Sequence, residues 1–212
     1  MHYPWQFPRN APNDASAFWD LFRKVLGIVQ RTPSCRREPA ASGRATRERL
    51  IFKLAILTIS DAGSKGERVD TSGDAIAERM AGEDFEQVRR EIVPDETELI
   101  SAKLREWCDG GEVDLILTTG GTGLGPRDVT PEATREVLDI EAPGIAEALR
   151  IETLKNTPLA MLSRSVSGVR SGCLIVNLPG SPTGVRECLE VAVPALPHAL
   201  EMIRGWRGHP GH

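Results

Sequence analysis

Three times in this chain a short aliphatic run stops abruptly at a cluster of glycine, serine, threonine or proline: KLAILTIS at 53–60, VDLILTTGG at 113–121 and GCLIVNLPG at 172–180. Continuous apolar runs this short read as strands covered on both faces, as in the parallel sheets of α/β proteins. The stretches between them agree. TSGDAIAERMAG (71–82) has helical apolar spacing closed by Gly82, FEQVRREIV (85–93) reads as a shorter strand, and ETELISAKLREWCDGG (96–111) as a helix closed by glycines. Further helices are expected near 130–140, 143–156 and 183–204, the last kinked or broken by Pro194 and Pro197. Strands that alternate with helices require crossover connections, so the expected fold is α/β, with helices on both faces of a mostly parallel sheet. No repeat of solenoid length interrupts this order.

The first 49 residues do not share the pattern. They hold nine Arg or Lys against four Asp or Glu, a net of +5, whereas residues 50–212 hold 17 against 26, a net of −9. MHYPWQFPRNAPND and RTPSCRREPAASGRATRER contain too little to bury and are expected to be mobile. Between them, Phe18, Leu21, Phe22, Val25, Leu26 and Val29 fall at helical spacing. This short amphipathic helix is either a tether to a partner or membrane surface, a packing element, or an extension without a role. Residues 1–49 are thus read as an N-terminal extension and 50–212 as one α/β domain.

The composition excludes several function classes. A body of net charge −9 is poorly suited to a nucleic-acid backbone, which needs a basic surface to displace condensed counterions. No run approaches the roughly 18 apolar residues of a membrane span. Cys35, Cys108, Cys173 and Cys188 form no CxxC pair, and a chain of this size needs no disulfides, so reduced thiols and a cytoplasmic location are expected. The four histidines avoid the glycine-rich segments, which argues against a zinc cluster or a histidine base.

Ligands in such sheets bind beyond the carboxyl ends of the strands. The three loops there are SDAGSKGERVDTSG, TTGGTGLGPRDVTP and NLPGSPTG. Each lets backbone N–H groups approach an anion and leads toward a helix N-terminus, which together describe a phosphate-rich site. The Walker pattern is absent, and GTGLG supplies only part of GxGxxG, with Pro126 in place of the last glycine.

GGTGLGPRDVTPEAT, with TISD before it, IVPDE at 92–96, AMLSRS at 160–165 and NLPGSP at 177–182, resembles the molybdopterin adenylyltransferases, the Mog-type enzymes of molybdenum-cofactor synthesis. The resemblance spans about residues 52–205 in the right order and leaves the extension out. It implies a three-layer α/β/α sandwich, Rossmann-like in plan, usually trimeric. The implied reaction joins the terminal phosphate of molybdopterin to AMP from ATP, with Mg²⁺ as cofactor and pyrophosphate as product. A molybdenum-inserting protein is a further implied partner, and a related carrier that binds molybdopterin without adenylylating it is the alternative.

On that reading Asp128, just beyond the glycine loop, holds Mg²⁺ against the ATP phosphates; otherwise it is a carboxylate at a helix N-terminus, although Thr130 is the better cap. Asp95, in IVPDE, is an N-cap by local sequence, and only the resemblance makes it the second catalytic acid. Thr119, Gly120, Gly121, Thr122 and Gly123 are expected at the substrate phosphates, and Ser60 and Asp61 at nucleotide or pterin. Ser163, Pro179, Gly180 and Ser181 match positions lining the same cleft; for the serines, capping is the competing role. Asp70 either joins the site or begins a helix. Arg127 pairs with phosphate or with the carboxylate of its neighbour Asp128.

Overall fold

A computed structural model of the chain describes residues 50–205; the expected extension and its amphipathic helix lie outside the described residues. The elements run β1 (Phe52–Ile59), α1 (Asp61–Ser64), α2 (Thr71–Met80), β2 (Phe85–Val93), α3 (Thr97–Asp109), β3 (Leu115–Thr119), α4 (Thr130–Val137), β4 (Ile140–Glu141) and α5 (Pro143–Thr153). A 3₁₀ turn (Pro158–Leu162), β5 (Ser167–Arg170), β6 (Cys173–Leu178), α6 (Pro182–Ala192) and α7 (Leu196–Ile203) follow. The six strands form one sheet in the order β2-β1-β3-β6-β5-β4. β2, β1, β3 and β6 are parallel, whereas β5 runs antiparallel to β6 and β4 antiparallel to β5.

Period-two alternation along the central strands builds two cores. Leu54, Ile56, Leu115, Leu117, Leu174 and Val176 point to one face, where Ile76 of α2, Val185 and Leu189 of α6 and Leu196 and Leu200 of α7 cover them. Ala55, Leu57, Ile116 and Ile175 point to the other face, beneath Ile100, Leu104 and Trp107 of α3 and Ala133 and Val137 of α4. Helices on both faces of a mostly parallel sheet make the expected three-layer sandwich. β2 is a sheet edge, and its charged, mostly exposed residues discourage a further strand from pairing there.

Four elements escape the sequence reading: β4, β5, the short α1 and the 3₁₀ turn. SVSGVRSG carries few apolar residues, yet Ser167–Arg170 pairs with β6 through a tight hairpin. Its turn residues Ser171 and Gly172 both have positive φ (47° and 82°), as a two-residue hairpin loop of this twist requires. The backbone N–H of Ser171 donates to Asp139 at 2.7 Å, which holds the turn in place. The helix expected over 183–204 is broken as anticipated: α6 ends at Ala192 and α7 begins at Leu196, on either side of Pro194.

β1 lies between β2 and β3, and the connection from β1 to β2 through α2 and that from β2 to β3 through α3 use opposite faces of the sheet. The carboxyl ends of β1 and β3 therefore border the crevice where open α/β sheets bind ligands.

Candidate active site

β3 ends in a loop that only glycine can build. Gly120 has φ +100°, and a Cβ there would lie 2.2 Å from the Ile59 carbonyl oxygen at the end of β1. Gly121 has φ +60°, and its Cβ would lie 2.4 Å from Thr130 Oγ1 and 3.1 Å from Asp95 Oδ1. α4 is tied back onto these glycines: Thr130 Oγ1 donates to the Gly120 carbonyl at 2.9 Å, and the Thr130 N–H donates to the Gly121 carbonyl at 3.1 Å. Thr130 is therefore not the helix cap expected from sequence; it is fully buried inside α4, and the capping position is Val129, which has no capping side chain.

The far side of the loop is held by Arg164. Its N–H donates to the Thr122 carbonyl at 2.9 Å, its Nε to the Gly123 carbonyl at 2.6 Å, and its guanidinium also reaches the Asp128 carbonyl and Glu132. With its carbonyls engaged this way, the loop leaves the N–H groups of Gly121, Thr122 and Gly123 without an acceptor among the described residues. Successive free N–H groups around a left-handed glycine form an anion-binding concavity.

Asp128 folds back over this loop. Its Oδ2 accepts the Gly125 N–H at 2.7 Å, and a Cβ on Gly123 would come within 2.9 Å of the same oxygen. The carboxylate thus sits on the glycine loop and leaves α4 uncapped, contrary to its competing role as a helix-terminal acid. Asp95 is likewise not the cap of the helix after it; that position is Glu96. Asp95 Oδ2 instead accepts the Asp61 N–H at 2.8 Å, while Asp61 Oδ1 accepts the Asp95 N–H at 3.1 Å, so each aspartate holds the other's backbone. Arg127 grips Asp61 with two hydrogen bonds, Nε at 3.0 Å and a terminal nitrogen at 2.8 Å, so its carboxylate partner is not its chain neighbour Asp128 but an acid at the start of α1.

The charges follow from these contacts. The hydrogen bond from Arg127 holds the Asp61 carboxyl below its ordinary range. Burial pushes Asp95 up, and the nearby carboxylates of Asp61 and Asp128 push it further. A cation between Asp95 and Asp128 would relieve both effects. Among the described residues there is no cluster of three metal-ligating side chains. Two carboxylates flanking Gly121-Thr122-Gly123 nevertheless suit Mg²⁺, which typically takes one or two protein carboxylates and completes its shell with water and substrate phosphate.

Two clefts meet here. The larger, about 440 Å³, is bordered by Thr122, Gly123, Asp128, Ser163 and Ser181, with Leu159 and Leu162 of the 3₁₀ turn at its rim. The smaller, about 200 Å³, is bordered by Ser60, Arg68, Asp70, Asp95 and Gly120. Gly121 and Gly180 border both, and Pro179 the larger. A Cβ on Gly180 would lie 3.3 Å from Gly120 Cα, so these glycines form a thin shared ridge.

The expected site residues accordingly come together, with differences in role. Thr119 has no exposed surface and donates its hydroxyl to the Pro179 carbonyl at 2.8 Å, joining the second and third loops in place of touching a ligand through its side chain. Asp61 borders neither cleft and acts through Asp95. Ser60 caps α1 by accepting the Gly63 N–H at 3.0 Å, and Ser181 caps α6 by accepting the Gly184 N–H at 3.1 Å, so both serines combine a capping role with a place at a cleft wall. Ser163 Oγ lies 2.8 Å from Ser165 Oγ. Asp70 caps α2 and also borders the smaller cleft. Arg164, within AMLSRS, escapes the sequence reading because its partners lie about 40 residues away in the chain.

A family model described as a probable molybdopterin binding domain matches residues 55–198. The molybdopterin adenylyltransferase of Helicobacter pylori strain J99 is 44% identical over 154 residues, 72% of this chain and 88% of that one. The molybdopterin adenylyltransferase of Escherichia coli K12 is 41% identical over 142 residues, 66% of this chain and 72% of that one. Among solved structures, the molybdopterin biosynthesis enzyme MoaB of Thermus thermophilus superposes with a TM-score of 0.70 at 56% identity, covering 74% of this chain and 100% of that one. A MogA structure superposes at 0.68 and 41% identity, covering 71% and 99%. Matched along most of its described length by sequence and by fold, the chain belongs to the molybdopterin adenylyltransferase family of molybdenum cofactor biosynthesis.

Proposed function

We propose that the protein transfers an adenylyl group from ATP to the terminal phosphate of molybdopterin. The observation that carries this reading is the meeting of two clefts at one glycine ridge, with Asp95 and Asp128 on either side of Gly121-Thr122-Gly123. Two phosphate-bearing reactants need to bring their phosphates together, and a shared wall of free N–H groups is where they can do so. A terminal phosphate oxygen of molybdopterin attacks the α-phosphorus of ATP. The new phosphorus–oxygen bond forms as the bond from that phosphorus to the bridging oxygen breaks, and pyrophosphate leaves with the electron pair. A phosphate nucleophile needs no proton removed, so the step calls for no histidine base.

Asp128 and Asp95 are the residues that would hold Mg²⁺; when bound, the ion neutralises phosphate charge and keeps the attacking and leaving oxygens in line. The N–H groups of Gly121, Thr122 and Gly123 bind phosphate oxygens, and Arg127 keeps Asp61 and hence Asp95 in position. The apolar rim of the larger cleft suits the pterin and supports seating molybdopterin there.

A homotrimer acting in the cytoplasm belongs to the same proposal. Leu159, Met161 and Leu162 are exposed together beside the larger cleft and offer an apolar surface for a neighbouring subunit. Light scattering coupled to size-exclusion chromatography measures the assembly. No helix among the described residues is long and apolar enough to cross a membrane, and Cys108, Cys173 and Cys188 are buried free thiols.

Incubation with ATP, Mg²⁺ and molybdopterin, followed by assay of pyrophosphate and adenylylated molybdopterin, tests the reaction. Stoichiometric binding of molybdopterin without pyrophosphate release would sink it in favour of a carrier.

A further inference from the structure

The reactants proposed above are anionic, yet most of the charged side chains around the two clefts are acids. Asp61, Asp70, Asp95 and Asp128 all lie at or behind the cleft walls, and nearly every cation near them is already engaged. Arg127 is bound to Asp61. Arg90 is paired with Asp70 at 2.7 Å and Asp74 at 2.8 Å. Arg164 is engaged by Glu132 and by the loop carbonyls. Arg150, in the larger cleft, donates to the Ser165 carbonyl at 2.9 Å and helps fix that wall.

The smaller cleft repeats this economy among most of its polar side chains. Thr58 and Ser72 donate their hydroxyls to Asp70, Ser60 accepts the Gly63 N–H, and Asp95 accepts the Asp61 N–H. Of the charged side chains that line it, Arg68 alone is different. It borders this cleft, is exposed, and has no hydrogen-bond or ion-pair partner among the described residues. The cleft is about 200 Å³, below the roughly 300 Å³ at which pockets for drug-sized ligands begin. That size suits a small charged group better than a whole nucleotide.

We infer that Arg68 binds the β- and γ-phosphates of ATP in the smaller cleft and holds the departing pyrophosphate there. A guanidinium offers paired donors that match two phosphate oxygens, and its fixed charge offsets that of the leaving group. The inference rests on the proposed adenylyl transfer for the identity of its ligand. It places the leaving group on the side of the glycine ridge opposite the apolar rim, so that adenylylated molybdopterin and pyrophosphate depart through different clefts.

The test uses the full chain with Arg68→Gln and Arg68→Lys, titrated calorimetrically with pyrophosphate and Mg²⁺ in the absence of molybdopterin. Steady-state kinetics with each substrate varied in turn follow. Arg68→Gln is expected to weaken pyrophosphate binding about tenfold and to raise the KM for ATP by a similar factor, as loss of a charge-assisted hydrogen bond predicts. The KM for molybdopterin and the melting temperature should stay at wild-type values, because Arg68 touches neither the larger cleft nor the core, and Arg68→Lys should recover part of the loss. Pyrophosphate affinity within twofold of wild type in Arg68→Gln, a wild-type protein that binds no pyrophosphate, or a loss confined to the molybdopterin KM would each overturn the inference. The two readings fail separately: Arg68-dependent pyrophosphate binding in a protein that never turns over would refute adenylyl transfer alone. Normal turnover with Arg68-independent pyrophosphate binding would refute the role of Arg68 alone.

Discussion

The two clefts share Gly121 and Gly180, yet their acids are held in opposite ways. In the smaller cleft Asp70 is only 7% exposed, caps α2, accepts the Thr58 hydroxyl at 2.9 Å and pairs with Arg90, while Asp95 is interlocked with Asp61. In the larger cleft the Asp128 carboxylate has one hydrogen bond, from the Gly125 N–H in its own loop. An acid enclosed by donors supports the fold and titrates with it. An acid held by one local N–H keeps its remaining lone pairs for something else, here an ion or a substrate. The contrast separates Asp70, which makes the site rigid, from Asp128, which acts in it; Asp95 stands with Asp128, since its carboxylate accepts only the Asp61 N–H and keeps Oδ1 for the proposed ion.

The sharpest way to break that contrast is Asp128→Asn. Turnover is expected to fall by about 100-fold or more, in the range seen when a single stabilising group for developing charge is removed. The melting temperature should hold, because the amide oxygen can still accept the Gly125 N–H. Near wild-type pyrophosphate release at saturating ATP and Mg²⁺ would show that the exposed acid is idle.

Gly121→Val attacks the ridge and should therefore damage both clefts at once. Strain at a positive φ costs roughly 1–3 kcal/mol, and the new side chain would meet Thr130 Oγ1 and Asp95. A melting temperature lower by several degrees, with weaker binding of both ATP and molybdopterin, is expected. If ATP affinity survives, the loop does not cradle phosphate.

Asp70→Asn should do the reverse of Asp128→Asn and act mainly on stability, by about 1.5 kcal/mol at neutral pH. Burial favours the protonated form of Asp70, but hydrogen bonds from Arg90, the Gly73 N–H and Thr58 outweigh it and hold the carboxyl below its ordinary range. A folded-state value below the unfolded one, about 3.9, contributes stability that is complete above that pH and is lost as pH falls through the folded value. Denaturant titrations across about pH 2–7 should therefore show the wild-type advantage over Asp70→Asn shrinking on the acid side. An advantage independent of pH would show that the carboxylate charge contributes nothing to it.

The smallest expected effect is that of Ser181→Ala, about 1 kcal/mol of stability from the lost cap of α6. Ser181→Asp keeps a capping oxygen and should restore stability. If molybdopterin binding falls in both variants while stability is recovered in the second, Ser181 acts on the ligand as well as on the helix.

Most of the parallel core is legible in the sequence. β1, β3 and β6 are aliphatic runs bounded by loops, and burial on two faces leaves an unmistakable composition; FEQVRREIV is β2 with the expected ends, although at nine residues it is longer than the strands beside which it reads as shorter. The antiparallel edge is not legible. β5 is four residues with two half-buried, and its pairing is enforced by the Ser171-Gly172 turn and by Arg170, which grips Asp109 from 61 residues away.

The site divides along the same line. Sequence alone brings the three glycine-rich loops to one edge of the sheet, since each follows a strand of the same direction, and the resemblance singles out Asp95 and Asp128 within them. What the local pattern says about those acids is misleading, because an aspartate before a helix looks like a cap whether or not it is one. Only the folded chain shows Thr130 reaching back to Gly120, Asp95 holding the N–H of Asp61, and Arg164 closing the loop around Asp128. Periodicity and turn chemistry act over a few residues and are written in the order of the chain. Which carboxylate ends up engaged and which stays free depends on partners 12 to 66 residues apart, and tertiary packing alone brings those within hydrogen-bonding distance.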